Sequence, residues 1–121
     1  MTMLIVPMTI VELPLFQRMA RDVWDDSERE AFIDFIARNP ETGDVISETG
    51  GVRKVRWSRQ GSGKRGGTRV VYFYHDPQMP LFLMLVYAKA QREDMTPDQK
   101  KQVRALAASL KQDYRRKGKM T

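Results

Sequence analysis

The side chains best suited to chemistry in this sequence are lysines and arginines concentrated in one short segment. Between Thr49 and His75 lie seven basic residues and no acidic one. They are Arg53, Lys54, Arg56, Arg59, Lys64, Arg65 and Arg69. Such cations can hold a phosphodiester in line for attack and neutralise the charge that grows on its oxygens. The segment therefore predicts a surface for phosphoryl transfer on RNA, in which the RNA's own 2′-hydroxyl attacks the adjacent phosphate.

The whole positive excess of the chain is concentrated in that segment. The formal charge is +6 over 121 residues, and the segment alone carries +7, which leaves −1 for the remainder. A localised basic excess is typical of a protein with one anionic partner, most often a nucleic acid. A solvated basic face without a partner is the alternative that charge alone leaves open.

The same segment offers no evident general base. A lysine crowded by other cations loses its proton more readily, so a lysine is one candidate. His75 is the only histidine, and it precedes Asp76 in a turn signal, where histidine is more often a surface residue than a base. Glu93 and Asp94 come before the last predicted helix, and we expect them to pair with basic neighbours or with the helix end.

Composition excludes several classes of site. The absence of cysteine excludes disulfides, cysteine nucleophiles and thiolate zinc sites, and a single histidine cannot form a metal site alone. We expect no metal and no cofactor. The longest apolar run, residues 80–88, is about half the roughly 20 residues that a transmembrane helix needs. The first residues also lack the features of a secretory signal, so we expect a cytoplasmic protein with no membrane segment.

Hydrophobic periodicity predicts one α+β domain over residues 1–121. The expected elements are a strand at 9–13, helices at 14–24 and 27–38, strands at 52–58, 68–75 and 81–89, and a last helix that opens at Thr96. We expect a twisted antiparallel sheet with the two N-terminal helices and the C-terminal helix packed on one face. Residues 1–8 are interpreted as an N-terminal extension and residues 115–121 as a frayed basic tail.

Strand alternation places the basic residues within this sheet. Val55 and Trp57 favour the core, which puts Lys54 and Arg56 on the opposite face. The candidate catalytic residues are Lys54, Arg56, Arg69 and Lys89. The candidate RNA-binding residues are Arg53, Lys64, Arg65, Tyr72 and Tyr87, in which the tyrosines would stack on bases. The loop that holds Lys64 and Arg65 lacks P-loop spacing, so it is either a mobile basic loop on the RNA backbone or a plain hairpin connection.

The stretches that carry these residues resemble the HigB-like branch of the RelE/ParE toxin superfamily. They are residues 50–57 (GGVRKVRW), residues 61–72 (GSGKRGGTRVVY), and residues 86–89 (VYAK) with Glu93 and Asp94 behind them. The resemblance extends from about Thr9 to Leu110. Some members carry a tyrosine after the third strand that acts in proton transfer, and the sequence around Met95 has none. The histidine and aspartate arrangements of other HigB proteins are not evident either.

This resemblance implies a RelE-like fold and a toxin of a type II toxin–antitoxin system. Such toxins cleave mRNA, usually in the ribosomal A site, and a cognate antitoxin, here expected to be a helix-turn-helix protein, holds them inactive. The family's basic catalytic side chains match Lys54, Arg56 and Arg69, with another near Lys89. A ParE-like inhibitor of gyrase and a module that binds RNA or the ribosome without cutting are alternatives with the same fold. The basic cluster favours the nuclease over the gyrase inhibitor, whereas a binding module would carry the same basic face.

Overall fold

The helices and strands begin and end close to where the sequence supplies caps and apolar periodicity. A computed structural model describes residues 7–58, 67–91 and 94–119. The elements within these ranges are β1 (Ile10–Glu12), α1 (Pro14–Val23), α2 (Asp26–Arg38), β2 (Asp44–Val45), β3 (Val52–Trp57), β4 (Thr68–Phe73), β5 (Leu81–Ala88) and α3 (Pro97–Lys119). The short strand β2 lies in a stretch for which we predicted no strand.

Local side-chain chemistry explains the starts of the helices. Pro14 begins α1, where a missing N–H costs nothing. The Asp25 carboxylate accepts the N–H of Glu28 at 2.7 Å and caps α2. At the start of α3, the Gln99 N–H donates to the Thr96 hydroxyl at 3.1 Å, and the Thr96 N–H donates to the Gln99 side chain at 3.1 Å. This reciprocal pair is the predicted capping box.

The sheet has five strands in the order β1-β5-β4-β3-β2. The pairs β5–β4 and β4–β3 are antiparallel, as predicted for strands so close in sequence, and β3–β2 is antiparallel as well. β1 instead pairs with β5 in parallel, with Ile10 beside Leu81. This corrects the expectation of an antiparallel sheet: both helices and three strands separate β1 from β5, and such a long crossover permits parallel pairing. The α+β class itself is confirmed.

The helices lie on both faces of the sheet, which corrects the expectation that all three share one face. We call the side covered by α1 and α2 the first face; its core includes Phe16 and Phe32 of the helices and Val55 and Val70 of the strands. The second face carries an apolar patch of Val52, Val71, Phe73 and Leu85, on which Val103 and Ala107 of α3 pack. An apolar patch of this kind needs a cover, and the stripe of α3 supplies it.

The C-terminal helix also extends further than predicted. We expected residues 115–121 to fray, but α3 continues to Lys119. Tyr114 anchors the second half of the helix, because its hydroxyl donates to Asp76 Oδ1 at 3.3 Å and its ring packs edge-on against His75 with centroids 6.0 Å apart. None of the helices in the described ranges is both long and apolar enough to cross a membrane.

Candidate active site

Two arginines and a tyrosine form a row across the second face. Arg56 of β3 lies directly opposite Arg69 of β4, and Arg69 lies directly opposite Tyr87 of β5. Directly opposed residues in such pairs have Cβ atoms about 5 Å apart, and like charges in this arrangement are destabilising. A phosphate bound over Arg56 and Arg69 would offset that repulsion, so the row is suited to an anion.

Lys54 belongs to the next row of the same face. It lies two residues before Arg56 on β3, and its strand partner on β4 is Val71. The three cations Lys54, Arg56 and Arg69 are therefore brought together, as alternation along β3 predicted for the first two. Because β4 is buried on both sides, its sequence did not reveal the face of Arg69. The pairing with Arg56 settles that position.

The members of this set differ in their access to solvent. Arg56 is exposed, whereas Arg69 is only 7% exposed and is held against the sheet. Tyr87 is 4% exposed, and its ring belongs to the apolar cluster beneath α3. Tyr87 thus lies next to the arginines as part of the floor of the site, and little of its ring is available for stacking on a base. Burial by α3, which alternation alone does not reveal, accounts for this difference from the prediction.

A carboxylate reaches the basic cluster from the segment before α3. Lys54 Nζ donates to Asp94 Oδ1 at 3.3 Å, and the N–H of Met95 donates to the same oxygen at 2.8 Å. The Met95 hydrogen bond and, after it, the interactions with Lys54 hold the pKa of Asp94 below its ordinary value of 3.8, although partial desolvation opposes the shift. Sequence reasoning predicted that Asp94 pairs with a basic neighbour or the helix end, but it did not place this carboxylate in the site.

Lys89 follows β5 directly and lies beside the start of β4. Its N–H donates to the carbonyl of Gly67 at 3.2 Å. Gly67 has a φ of 63°, and a Cβ there would stand 2.6 Å from the carbonyl oxygen of Trp57, so only glycine fits this close approach. The half-buried Lys89 is thus placed near the end of the sheet that carries Arg69. The candidate residues Lys64 and Arg65 lie outside the described residues.

Arg53 and Tyr72 are not part of the cluster. They are strand partners on the first face, opposite to Lys54 and Arg56. Arg53 Nη1 donates to the carbonyls of Glu41 at 3.1 Å and Gly43 at 2.8 Å. Tyr72 is fully buried. Both side chains therefore fasten the connection between α2 and β2 to the sheet, and the structure separates them from the predicted RNA surface.

His75 lies at the far end of the sheet from the arginines. It follows Arg69 by six residues of extended chain, roughly 20 Å at 3.3 Å per residue. Its ring stacks on Phe73 with centroids 6.3 Å apart. The described residues contain no group of three His, Cys, Asp or Glu side chains that could hold a metal ion. The chemistry that the cluster itself offers is anion binding by Lys54, Arg56 and Arg69, beside the carboxylate of Asp94.

Comparisons with known proteins identify the family of the chain and the type of fold. A family model described as the RelE toxin of the RelE/RelB toxin–antitoxin system matches residues 8–119. Among solved structures, the fold is similar to that of a double arginine-to-alanine mutant of E. coli toxin RelE in the free state, with a TM-score of 0.52. The two chains are 14% identical, and the match covers 73% of this chain and 90% of that one. At this identity the structural likeness is one of fold.

Proposed function

Because this chain belongs to the RelE toxin family of toxin–antitoxin systems, we propose that it is a metal-independent endoribonuclease that cuts mRNA in the ribosomal A site. Cleavage of the message would stop translation in the cytoplasm. The observation that carries this proposal is the cross-strand pair of Arg56 and Arg69, with Lys54 on the same face. These are groups that stabilise a pentacoordinate phosphate rather than a neutral substrate.

In the proposed reaction the RNA supplies its own nucleophile. Arg56 and Arg69 bind the non-bridging oxygens of the scissile phosphate and hold it in line with the neighbouring 2′-hydroxyl. The 2′-oxygen attacks phosphorus, the bond to the 5′-oxygen breaks, and the products are a 2′,3′-cyclic phosphate and a 5′-hydroxyl end. Because Arg69 is almost fully buried, its guanidinium is preorganised and needs little reorganisation during the reaction. Exposed Arg56 and half-buried Lys54 would engage the phosphate as RNA enters.

We also propose a cognate antitoxin as the protein partner, built on a helix-turn-helix domain. The family description, which joins a toxin to an antitoxin in one system, supports such a partner. Coexpression of the chain with the product of a neighbouring reading frame, followed by copurification, would test it.

The nuclease activity can be tested in cells that lack the antitoxin. We expect Arg56→Ala and Arg69→Ala each to reduce cleavage about 10²-fold or more, because each removes a donor to the growing phosphate charge. Primer extension on a translated message after brief induction measures the cuts. Arg21→Ala is the matched control, because this exposed arginine lies on α1, and its loss should leave cleavage unchanged. Circular dichroism checks that the Arg69 variant, which alters a buried position, still folds.

Other outcomes of this experiment would identify a different function. Growth arrest with intact mRNA would contradict the nuclease and point to gyrase inhibition or ribosome blockade. Arg69→Lys adds a further discrimination, since it keeps the charge but loses the forked geometry of the guanidinium. A lysine that restores full activity would show that charge alone acts at this position.

A further inference from the structure

Within the cluster of Lys54, Arg56 and Arg69, Lys54 is the one side chain that could accept the proton of the attacking hydroxyl. Arginine remains protonated in proteins, so neither Arg56 nor Arg69 is a base. Lys54 Nζ is engaged as a donor to the Asp94 carboxylate at 3.3 Å. His75 lies at the other end of the sheet. The carboxylate that engages Lys54 is therefore the group to consider as the base.

Asp94 is the carboxylate that the fold brings into hydrogen-bonding distance of this cluster. Its partner Lys54 is 40 residues earlier in the chain, so the contact exists only because the fold brings the start of α3 beside β3. The side chain of Asp94 is 68% exposed, which leaves it open to a substrate. The donors recorded for it among the described residues, Lys54 Nζ and the Met95 N–H, both use Oδ1. Oδ2 can therefore face an incoming hydroxyl.

From this geometry we propose that Asp94 is the general base of the RNA cleavage, and the proposal rests on the ribonuclease function given above. Asp94 Oδ2 accepts the proton of the 2′-hydroxyl while the 2′-oxygen forms its bond to phosphorus. The bond from phosphorus to the 5′-oxygen breaks, and water supplies the proton that this leaving oxygen takes up. Asp94 then returns its proton to solvent. No oxidation or reduction is involved, and no co-reactant other than water is required.

The position of Asp94 beside Lys54 suits this role. A phosphate that accepts from Lys54 and Arg56 would share Lys54 with Asp94, whose Oδ1 lies 3.3 Å from Lys54 Nζ. The carboxylate would then lie on the Lys54 side of the phosphate. Among the described residues, the charged groups that act on Asp94 are Lys54 of β3 and Lys100 of α3. Both favour the carboxylate form, so Asp94 is ionised at neutral pH.

The decisive variant is Asp94→Asn. The asparagine oxygen can still accept the Met95 N–H, so the local backbone is kept while the base is removed. We expect cleavage under single-turnover conditions to fall about 10²-fold to 10⁴-fold, the usual contribution of a general base. Affinity for an RNA whose cleaved nucleotide is 2′-deoxy should stay the same or rise, because a negative charge has left a basic surface. Asp94→Glu, which keeps the carboxylate, should restore part of the rate.

Asp44→Asn is the matched control for net charge. Asp44 is exposed on β2 and is the strand partner of Lys54, so this change removes the same charge beside the same lysine. Cleavage by Asp44→Asn should stay within about twofold of wild type, a small change beside the 10²-fold effect of losing a base. If Asp94→Asn cuts as fast as wild type, the base assignment is overturned while the nuclease stands. A parallel loss of affinity and cleavage would equally overturn it, and an uncut message with wild type would instead remove the proposed function itself.

Discussion

At the residue scale, Tyr72 shows how a single hydroxyl ties a connection to the sheet. The Tyr72 hydroxyl donates to the carbonyl of Pro40 at 2.8 Å and accepts the N–H of Gly43 at 2.8 Å. A Cβ at Gly43 would stand 2.8 Å from this hydroxyl, so the close approach requires glycine. These hydrogen bonds hold the connection between α2 and β2 against the first face. They thereby help to position β2, the edge strand next to β3.

The change Tyr72→Phe should destabilise the fold by about 1–3 kcal/mol, because it leaves the buried Gly43 N–H and the partly buried Pro40 carbonyl without this partner. Urea denaturation measures the loss. Burial raises the pKa of Tyr72 above its ordinary value of 10.0, so the folded state holds this proton more tightly than the unfolded chain does. The stability so gained is complete below about pH 10 and is lost as the pH rises through the raised pKa.

Two controls make this prediction specific. Tyr114→Phe removes a longer hydrogen bond of 3.3 Å in a partly buried place, so it should cost less. The free energy of unfolding of the Tyr72→Phe variant should also fall less steeply above about pH 10 than that of wild type. The reason is that the variant has no hydroxyl at this position to ionise. Equal costs for the two substitutions would show that the hydroxyl of Tyr72 is not the link described here.

The sequence alone predicts the sheet face of those residues whose side follows from strand alternation. Lys54 and Arg56 share a face because Val55 and Trp57 need the core, and this prediction is confirmed. The same alternation puts Arg53 on the first face, opposite to Lys54 and Arg56. Asp94 could not be placed, because its contact with Lys54 joins residues 40 positions apart in the chain.

At the element scale, the start of α3 positions both the helix and Asp94. The capping box of Thr96 and Gln99 satisfies N–H groups that would otherwise lack partners, and Asp94 lies two residues before it. Thr96→Ala should lower the free energy of unfolding by about 1 kcal/mol, the usual value of such a cap. Urea denaturation at neutral pH provides the measurement, with Ser109→Ala, an exposed change inside α3, as the control. A cost no larger than that of the control would contradict the capping role.

The elements themselves were predictable to the extent that their signals are local. Pro14, Asp25 and Thr96 mark helix starts, and the apolar runs of β3, β4 and β5 mark strands. The parallel pairing of β1 and the packing of α3 on the second face were not predictable. The partner of β1 depends on the order of the strands in the folded sheet. The position of α3 depends on which apolar surface of that sheet α1 and α2 leave exposed.

At the scale of the whole molecule, the fold converts a run of charge in sequence into a patch on one face. Of the described basic residues of that run, Lys54, Arg56 and Arg69 share the second face, whereas Arg53 lies on the first. The apolar part of the second face is covered by α3. The basic residues lie outside that part, with Arg56 exposed and Arg69 only 7% exposed. The three cations on this face form one small site, which can neutralise only a few phosphates.

Binding to single-stranded RNA should therefore depend on salt with a modest slope. Each phosphate neutralised contributes about −0.7 to the slope of log K against log salt, so three cations predict a slope of about −2. Arg56→Ala should reduce the magnitude of the slope by about 0.7, because it removes one exposed phosphate contact. Fluorescence anisotropy with a 2′-deoxy-blocked oligonucleotide gives both values, and Arg21→Ala serves as the control of equal charge. An unchanged slope for Arg56→Ala, or an equal reduction for Arg21→Ala, would mean that RNA is held by the overall charge of +6 and not by this face.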